Sequence, residues 1–265
     1  MKFSRFGFAV FCTLSVFIAF GIYISARYVG RQNALAELEE PSFLEVVTLD
    51  KPKEFAFIIP VTANPRENTK LVETIFDQEY DMYKIIFLYT RKEEKAAQDL
   101  KHYIVKENKG GRVTWVESKG ETITLLDYCH AVFSCQNEEI IFSIDPASWL
   151  AHKQVLKKLS DIYSISQEVW VTYSDFLIFP SLEKIDIAKL QKMISPDRKD
   201  FLWTSSHVKT FYAGLLKESL SDVKLNLDRP LTDTSIRELL MVTKDRAKRH
   251  IRYINEVFYL YSAQS

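Results

Sequence analysis

Apolar runs alternate with amphipathic stretches along the chain from residue 55 onward. The runs are short and rich in β-branched and aromatic residues, such as FAFII and YKIIFLY, which is typical of buried strands. They predict strands at residues 55–59, 83–89, 113–116, 139–144 and 168–173. The stretches between them have helical spacing and predict helices at residues 69–78, 93–106, 123–134 and 151–164. Repeated strand–helix units indicate an α/β fold with a mainly parallel sheet and helices on both faces.

The order of elements changes after residue 173. The pattern there predicts a short apolar piece at 176–179, a helix near 187–193 and an apolar segment at 203–206. Helices at 211–219 and 232–244 and a final strand at 251–260 follow. No internal repeat is visible, so this second part is not a copy of the first.

Polar residues follow four of the predicted strands. They occur at residues 60–64, 89–90 and 117–118, and Asp145 follows the fourth strand. In parallel sheets, ligands bind beyond the carboxyl ends of the strands, where loops and helix N-termini converge. The pattern therefore predicts a ligand site at this edge, with Asp145 at its centre.

An uncharged apolar segment precedes the predicted domain, at residues 6–25. Twenty helical residues match the ~30 Å thickness of a hydrocarbon layer, so we expect a retained membrane anchor. A cleavable signal peptide is the alternative, although its apolar core is normally shorter. Lys2 and Arg5 before the segment balance Arg27 and Arg31 after it, so the side of the membrane stays open.

The expected organisation is therefore an anchor or signal sequence at residues 1–26, a polar stalk at 27–54 and one domain at 55–265. The length of 265 residues and the hydrophobic content of 47% suit one substantial core. Lys+Arg and Asp+Glu are both 35, and this neutral balance argues against a nucleic-acid partner. No glycine-rich phosphate loop occurs, and three cysteines and five histidines show no zinc-ligand spacing.

Five segments of the domain together resemble a known family. FAFIIPVTANPRENTKLVETIFDQEYDMYKIIF contains a strand, an Ile-Pro turn that leads to Asn, and a helix with Gln-x-Tyr. The others are IDPASWLAHKQVLKKLSDIYS, EVWVTYSDFLIFPS, HVKTFYAGLLKES, and TDTSIRELLM followed by INEVFYLYS. In this order they resemble a family-2 glycosyltransferase of the GT-A fold, of a branch common in chlamydia-type bacteria.

This resemblance implies a Rossmann-like GT-A fold and the transfer of a hexose from a nucleotide-diphosphate sugar to a glycan or other hydroxyl acceptor, with inversion. It places a metal ligand at Asp145 and a catalytic base at Asp233. It places nucleotide-sugar contacts at Pro60, Thr62, Asn64, Tyr89 and Ser118, and acceptor-side residues at His207 and Trp149.

Two departures from the family pattern bear on this chemistry. Tyr89-Thr90-Arg91-Lys92 stands where the family has an acidic pair for the nucleotide, and Ala147 and Ser148 stand where further metal-binding acids would follow Asp145. A single carboxylate is a poor site for Mn²⁺ or Mg²⁺, so we expect a metal to bind weakly or not at all.

Each candidate residue also has an ordinary structural explanation. Asp145 and Asp233 are residue types that cap helices, and Asn64 before a proline is a turn signal. His207 and Trp149 suit packing against apolar neighbours. The residues therefore leave two hypotheses open: an active glycosyltransferase, or an inactive descendant that acts as a membrane-anchored binding or scaffold module. Cleavage of residues 6–25 would make the second a secreted binding domain.

Overall fold

In the computed structural model, strands and helices alternate through the first half of the chain as predicted. The structure describes residues 49–185, 209–221 and 226–262. Its strands are β1 (Phe55–Pro60), β2 (Tyr83–Tyr89), β3 (Val113–Glu117), β4 (Ile140–Ser143), β5 (Ser148–Leu150), β6 (Val171–Phe179), β7 (Glu183–Ile185), β8 (Lys209–Tyr212) and β9 (Ile251–Ser262). Its helices are α1 (Pro65–Phe76), α2 (Glu94–Lys106), α3 (Leu125–Phe133), α4 (Val155–Ile165), α5 (Ala213–Ser221) and α6 (Asp233–Ala247).

Some predicted features lie outside the described residues. These are the apolar segment 6–25, the stalk as far as residue 48, the helix near 187–193, the segment 203–206 and His207. No helix within residues 49–185, 209–221 and 226–262 is long and apolar enough to cross a membrane.

All nine described strands belong to one sheet, with the order β3-β2-β1-β4-β8-β6-β9-β5 and with β7 paired to β6. The four strands β3, β2, β1 and β4 are parallel. β8 is antiparallel to both β4 and β6, β9 is parallel to β6, and β5 and β7 are antiparallel to their partners. The prediction of a mainly parallel sheet is therefore right for the first half and wrong for the second.

The helices divide between the two faces of the sheet. The chain steps from β1 to β2 to β3 in one direction and then returns to the other side of β1 as β4. Because crossovers between parallel strands are right-handed, α1 and α2 lie on one face and α3 on the other. The contacts agree, since α1 packs on α2, whereas α3 packs on α5 and α5 on α6.

Side-chain caps explain where three helices begin. α1 starts at Pro65, earlier than the predicted residue 69, because Asn64 accepts a hydrogen bond from the backbone N–H of Arg66 and proline suits the first helical position. Thr124 with Asp127 forms a capping box at α3, and Thr232 with Ser235 forms one at α6. These local signals place the helix N-termini at the predicted ligand edge.

Three boundaries in the second half differ from the prediction. Lys209–Tyr212 is strand β8, although the sequence predicted a helix from residue 211. β6 continues to Phe179 without the predicted break, and residues 148–150, next to the predicted helix at 151–164, form β5. In each case pairing with another strand decides the conformation of a short apolar run, and for residues 211–212 that run fits the helix period as well as the strand period.

The core lies where β1 and β4 meet, at the centre of the parallel half. Residues 55–59 of β1 are at most 1% exposed, and Phe57 stacks on its β4 partner Phe142 with ring centroids 4.7 Å apart. This rigid centre supports the loops that follow the two strands.

Candidate functional site

A pocket of about 420 Å³ lies beyond the carboxyl ends of β1 and β4. These neighbouring strands are followed by chain that leaves in opposite directions across the sheet, which is the position where α/β sheets bind ligands. Residues after β1, after β4 and before α3 line the pocket, together with Lys209 and the first two turns of α6. Its volume is in the range of small-molecule sites.

Asp145 lies in the turn that follows β4 and lines this pocket. Its Oδ1 accepts the backbone N–H of Ala147 at 2.7 Å, and its carbonyl accepts the N–H of Ser148 at 2.8 Å. Burial raises the pKa of the Asp145 carboxyl to about 6, partly opposed by the Ala147 N–H and reinforced by the nearby carboxyl of Asp233. Asp145 therefore holds its own turn and also presents an acid to the pocket.

Asp233 opens α6 and lines the same pocket as Asp145. The two carboxyl groups are near each other, since Asp233 contributes to the raised pKa of Asp145, although the residues are far apart in the sequence. Asp233 is exposed, and its backbone is held by the Thr232–Ser235 capping box, in which Thr232 N–H donates to Ser235 Oγ at 2.8 Å. The residues predicted as the metal ligand and as the base thus meet in one pocket.

Two cationic side chains, one buried and one exposed, also line the pocket. Lys209, the first residue of β8, is only 3% exposed, and burial together with the nearby Arg237 lowers its pKa to about 7. Arg237 follows Asp233 by one helical turn and also lines the pocket. Neither residue was selected from the sequence, where a lysine at the start of the apolar run KTFYAGLL was the one available signal.

The last residue of β1, Pro60, and Thr62 in the loop after it contribute to the pocket lining. Asn68 of α1, which is 2% exposed, holds this loop by accepting the N–H of Thr62 at 3.0 Å and donating to the Thr62 carbonyl at 2.8 Å. Asn64 caps α1 and donates to Glu67 at 2.8 Å, and it does not line the pocket. Asn68 was not selected from the sequence, because its role depends on the position that the loop after β1 takes beside α1 in the folded chain.

Tyr89 and Ser118 also lie outside the pocket lining. The Tyr89 ring packs edge-on against Trp115 at 6.2 Å, with the ammonium of Lys101 4.8 Å above it. Ser118 donates from its hydroxyl to Asp127 at 2.8 Å and from its backbone N–H to the Tyr89 carbonyl at 2.8 Å. Both side chains help to hold the loops after β2 and β3 in place.

Trp149 lies in a second concavity of about 690 Å³, separate from the pocket. Its ring packs edge-on against Phe179 at 5.3 Å, and residues of α1 form the opposite wall. The structure therefore brings together Pro60, Thr62, Asp145 and Asp233, and it does not bring Asn64, Tyr89, Ser118 or Trp149 into that group. His207 lies outside the described residues.

No protein-family model and no curated protein sequence matches this chain. Solved structures do match. The Staphylococcus aureus TarS fragment 1–349 in complex with UDP-GlcNAc superposes with a TM-score of 0.60 at 13% identity, over 80% of this chain and 59% of TarS 1–349. Glucosyl-3-phosphoglycerate synthase from Mycobacterium tuberculosis, in complex with Mn²⁺, UDP-glucose and phosphoglyceric acid, gives 0.52 at 12% identity over 80% and 73% of the two chains. This chain has a GT-A-like fold.

A third GT-A neighbour agrees with this assignment. The mannosyltransferase PcManGT from Pyrobaculum calidifontis, in complex with GDP-Man and Mn²⁺, has a TM-score of 0.50 at 12% identity and covers 92% of this chain and 67% of its own. The present chain spans about three-fifths of the length of TarS 1–349, at 59%. At these identities the structural similarity establishes the fold alone, because one fold can carry many functions.

Two of these GT-A neighbours contain Mn²⁺, so we tested whether the present residues fit such an ion. Asp145 and Asp233 could supply two carboxylates, but one oxygen of Asp145 already accepts the Ala147 N–H. Among the described residues, no group of three His, Cys, Asp or Glu side chains could hold a metal. A divalent cation at a diphosphate commonly takes one or two protein carboxylates and completes its shell with phosphate oxygens and waters, so these residues alone offer at most a weak site.

Proposed function

We propose that this chain is a glycosyltransferase that moves a hexose from a nucleotide-diphosphate sugar to a hydroxyl acceptor, with inversion at the anomeric carbon. The observation that supports the proposal is the convergence of Asp145, Asp233, Lys209 and Arg237 on one pocket at the ligand edge of a GT-A-like sheet. Packing of the core does not require acids and cations from three separate segments to line one pocket. Glycosyl transfer from a diphosphate uses both: an acid accepts the proton of the acceptor, and cations stabilise the leaving diphosphate.

Asp233 is suited to act as the general base. In the proposed reaction the acceptor oxygen forms a bond to the anomeric carbon while its proton passes to the Asp233 carboxylate. The bond between the anomeric carbon and the diphosphate oxygen breaks, and the electron pair leaves with the diphosphate. Attack from the face opposite the leaving group inverts the configuration.

The two acids take different roles in this reaction. Their carboxyl groups are near each other at the pocket. Asp233 is exposed, so its side chain can rotate towards solvent without disturbing the core. Asp145 is held through Ala147 and stays in place. We therefore assign acceptor activation to Asp233 and orientation of the bound sugar to Asp145.

The second candidate is an inactive descendant that binds a glycan or protein partner. The side chains of Asn64, Tyr89 and Ser118 favour it, because all three are engaged in holding loops and contribute nothing to the pocket lining. A nucleotide base would then have to bind through Pro60, Thr62 and the segment before α3.

Donor binding and turnover separate the two candidates. We expect the full-length chain in detergent to bind UDP- or GDP-sugars in calorimetry and to release the nucleoside diphosphate slowly in the absence of an added acceptor. Asp233→Asn should leave donor affinity within about twofold and reduce release by at least about 100-fold, because it removes the proton acceptor alone. Exposed Asp99 on α2 provides the matched control, Asp99→Asn.

Two outcomes would contradict this proposal. Absence of binding with every UDP- and GDP-sugar, both with Mn²⁺ and with EDTA, would eliminate the transferase. Binding without measurable release, unchanged in Asp233→Asn, would support the inactive binding module.

A further inference from the structure

Lys209 occupies an unusual position for a lysine, because it lines the pocket and is only 3% exposed. It pairs with Ser143, the last residue of β4, in the antiparallel register of β4 and β8. Paired residues of antiparallel strands place their side chains on the same face of the sheet. The Ser143 hydroxyl lies beside that of Tyr128 on α3, so the Lys209 side chain also extends on the α3 and α6 face, into the pocket lining.

Arg237 approaches the same point from α6. It follows Asp233 by four residues, which places both on one face of the helix. Its positive charge acts on Lys209 and adds to the effect of burial in lowering the pKa of the lysine. Among the described residues Arg237 forms no ion pair. Two cations thus meet at a pocket wall that also contains apolar residues such as Ile58 and Leu240.

Two other charged residues that line the pocket, Lys92 and Glu93, also have partners. Lys92 pairs with Glu121 at 3.4 Å, near the exposed rim. Glu93 accepts hydrogen bonds from the backbone N–H and the hydroxyl of Thr90, which forms the capping box of the turn after β2. Lys209, which is buried, and Arg237, which is exposed, are two further cations that line this pocket together with Asp145 and Asp233.

An anion between Lys209 and Arg237 would remove the repulsion between them. Electrostatic interactions are strong where water is excluded, so the gain is larger for the buried lysine than for a surface one. A guanidinium forms paired hydrogen bonds with phosphate oxygens, and an ammonium acts as a point charge beside it. A diphosphate diester carries two negative charges, which matches these two cations.

We propose that Lys209 and Arg237 form the diphosphate subsite of the pocket and bind the donor in place of a divalent cation. The inference rests on the proposed function and deepens it, because it concerns how the same pocket holds the nucleotide-diphosphate sugar. It also agrees with the small number of metal ligands that the described residues place around Asp145.

This subsite also acts during transfer. When the bond between the anomeric carbon and the diphosphate oxygen breaks, that oxygen keeps the electron pair and the diphosphate gains one negative charge. Lys209 and Arg237 stabilise the added charge, while the acceptor proton passes to Asp233. No metal is needed for this balance of charge.

Calorimetry on the full-length chain in detergent tests the subsite, with UDP, GDP and inorganic pyrophosphate as probes, in EDTA and in Mn²⁺. We expect the affinity for the nucleotide that binds to differ by less than about threefold between EDTA and Mn²⁺. Lys209→Met and Arg237→Gln should each weaken it by at least about tenfold, because a hydrogen bond to a charged group is lost. Arg237→Lys should lie between Arg237→Gln and the unchanged protein.

Arg249→Gln and Lys157→Met are the matched controls, because both residues are exposed and lie outside the pocket lining. A thermal melt of each variant establishes whether it is folded. If the Lys209→Met variant does not fold, the nucleotide affinity of Arg237→Gln tests the subsite. Nucleotide binding that requires Mn²⁺ and is unaffected by these variants would overturn the subsite and leave the transferase proposal standing. No binding of any UDP- or GDP-compound would overturn both.

Discussion

At the scale of single residues, Asp145 shows how one side chain can serve its own turn and the pocket together. Its Oδ1 accepts the Ala147 N–H at 2.7 Å, which explains an aspartate at this position by local structure alone. Burial nevertheless raises its pKa to about 6, so ionisation of this carboxyl lowers the stability of the folded protein. Such a cost is characteristic of functional sites, where charge is retained for binding or catalysis.

The raised pKa predicts a pH-dependent effect of Asp145→Asn on stability. The carboxyl has a pKa near about 4 when unfolded, so between pH ~4 and ~6 the unfolded state releases the proton first and the folded state is penalised. The penalty is absent at lower pH and complete above pH ~6. Asn keeps the oxygen that accepts the Ala147 N–H. We expect a gain in the free energy of unfolding of about 1–3 kcal/mol at pH 8 and almost none at pH 4.

Urea denaturation of the full-length chain in detergent with EDTA measures this difference, and exposed Asp99→Asn is the control. An equal effect of Asp145→Asn at both pH values would show that packing, and not the charge, determines its stability.

The sequence identified Asp145 and Asp233 but missed Lys209, Arg237 and Asn68. An aspartate after an apolar run or before a helix is a local signal that spacing can detect. Lys209 stands in an apolar run and Asn68 within a helix, and their roles depend on Ser143 and Thr62, which approach them only after folding. No local pattern contains that information.

At the scale of elements, α6 carries much of the proposed chemistry. Its N-terminus positions Asp233, and its next turn positions Arg237. The Thr232–Ser235 capping box holds that N-terminus through two hydrogen bonds, 2.8 Å and 3.2 Å long. The local sequence TDTS therefore determines where the helix begins, and the helix period determines which side chains share a face.

Loss of this cap should affect the pocket more than a comparable loss of stability elsewhere. We expect Thr232→Ala to lower the free energy of unfolding by about 1 kcal/mol, because one orphan N–H of the helix loses its partner. It should also weaken donor binding, since Asp233 and Arg237 are no longer held in one position. Denaturation and calorimetry on the same preparation measure both effects.

Ile104→Val in the buried face of α2 is the control for this prediction, with a stability cost of about 0.5–1.5 kcal/mol. Equal donor affinity in Thr232→Ala and Ile104→Val would mean that the start of α6 does not control the site.

At the scale of the whole molecule, the apolar segment 6–25 and the GT-A-like domain predict a membrane-anchored transferase. The segment lies outside the described residues, so this prediction rests on its 20 uncharged residues. We expect the full-length chain to stay with the membrane fraction after alkaline carbonate extraction, and a chain that lacks residues 1–26 to be released.

The same fractions determine whether the segment is retained. A tag at the N-terminus that is lost from the mature protein would identify a cleaved signal peptide, and protease access to a C-terminal tag would report the side on which the domain lies.

The alternation of apolar and polar residues by itself determined the parallel half of the sheet, its order of strands and helices along the chain, and the edge at which the pocket lies. The elements follow from residue spacings within single segments. The faces on which their helices lie follow from the right-handed crossover that parallel strands generally adopt. Tertiary structure alone decided that residues 209–212 form a strand, and that Lys209 and Arg237 line one pocket with Asp145 and Asp233. A short apolar run suits helix and strand equally, and only pairing with a strand distant in sequence removes that ambiguity.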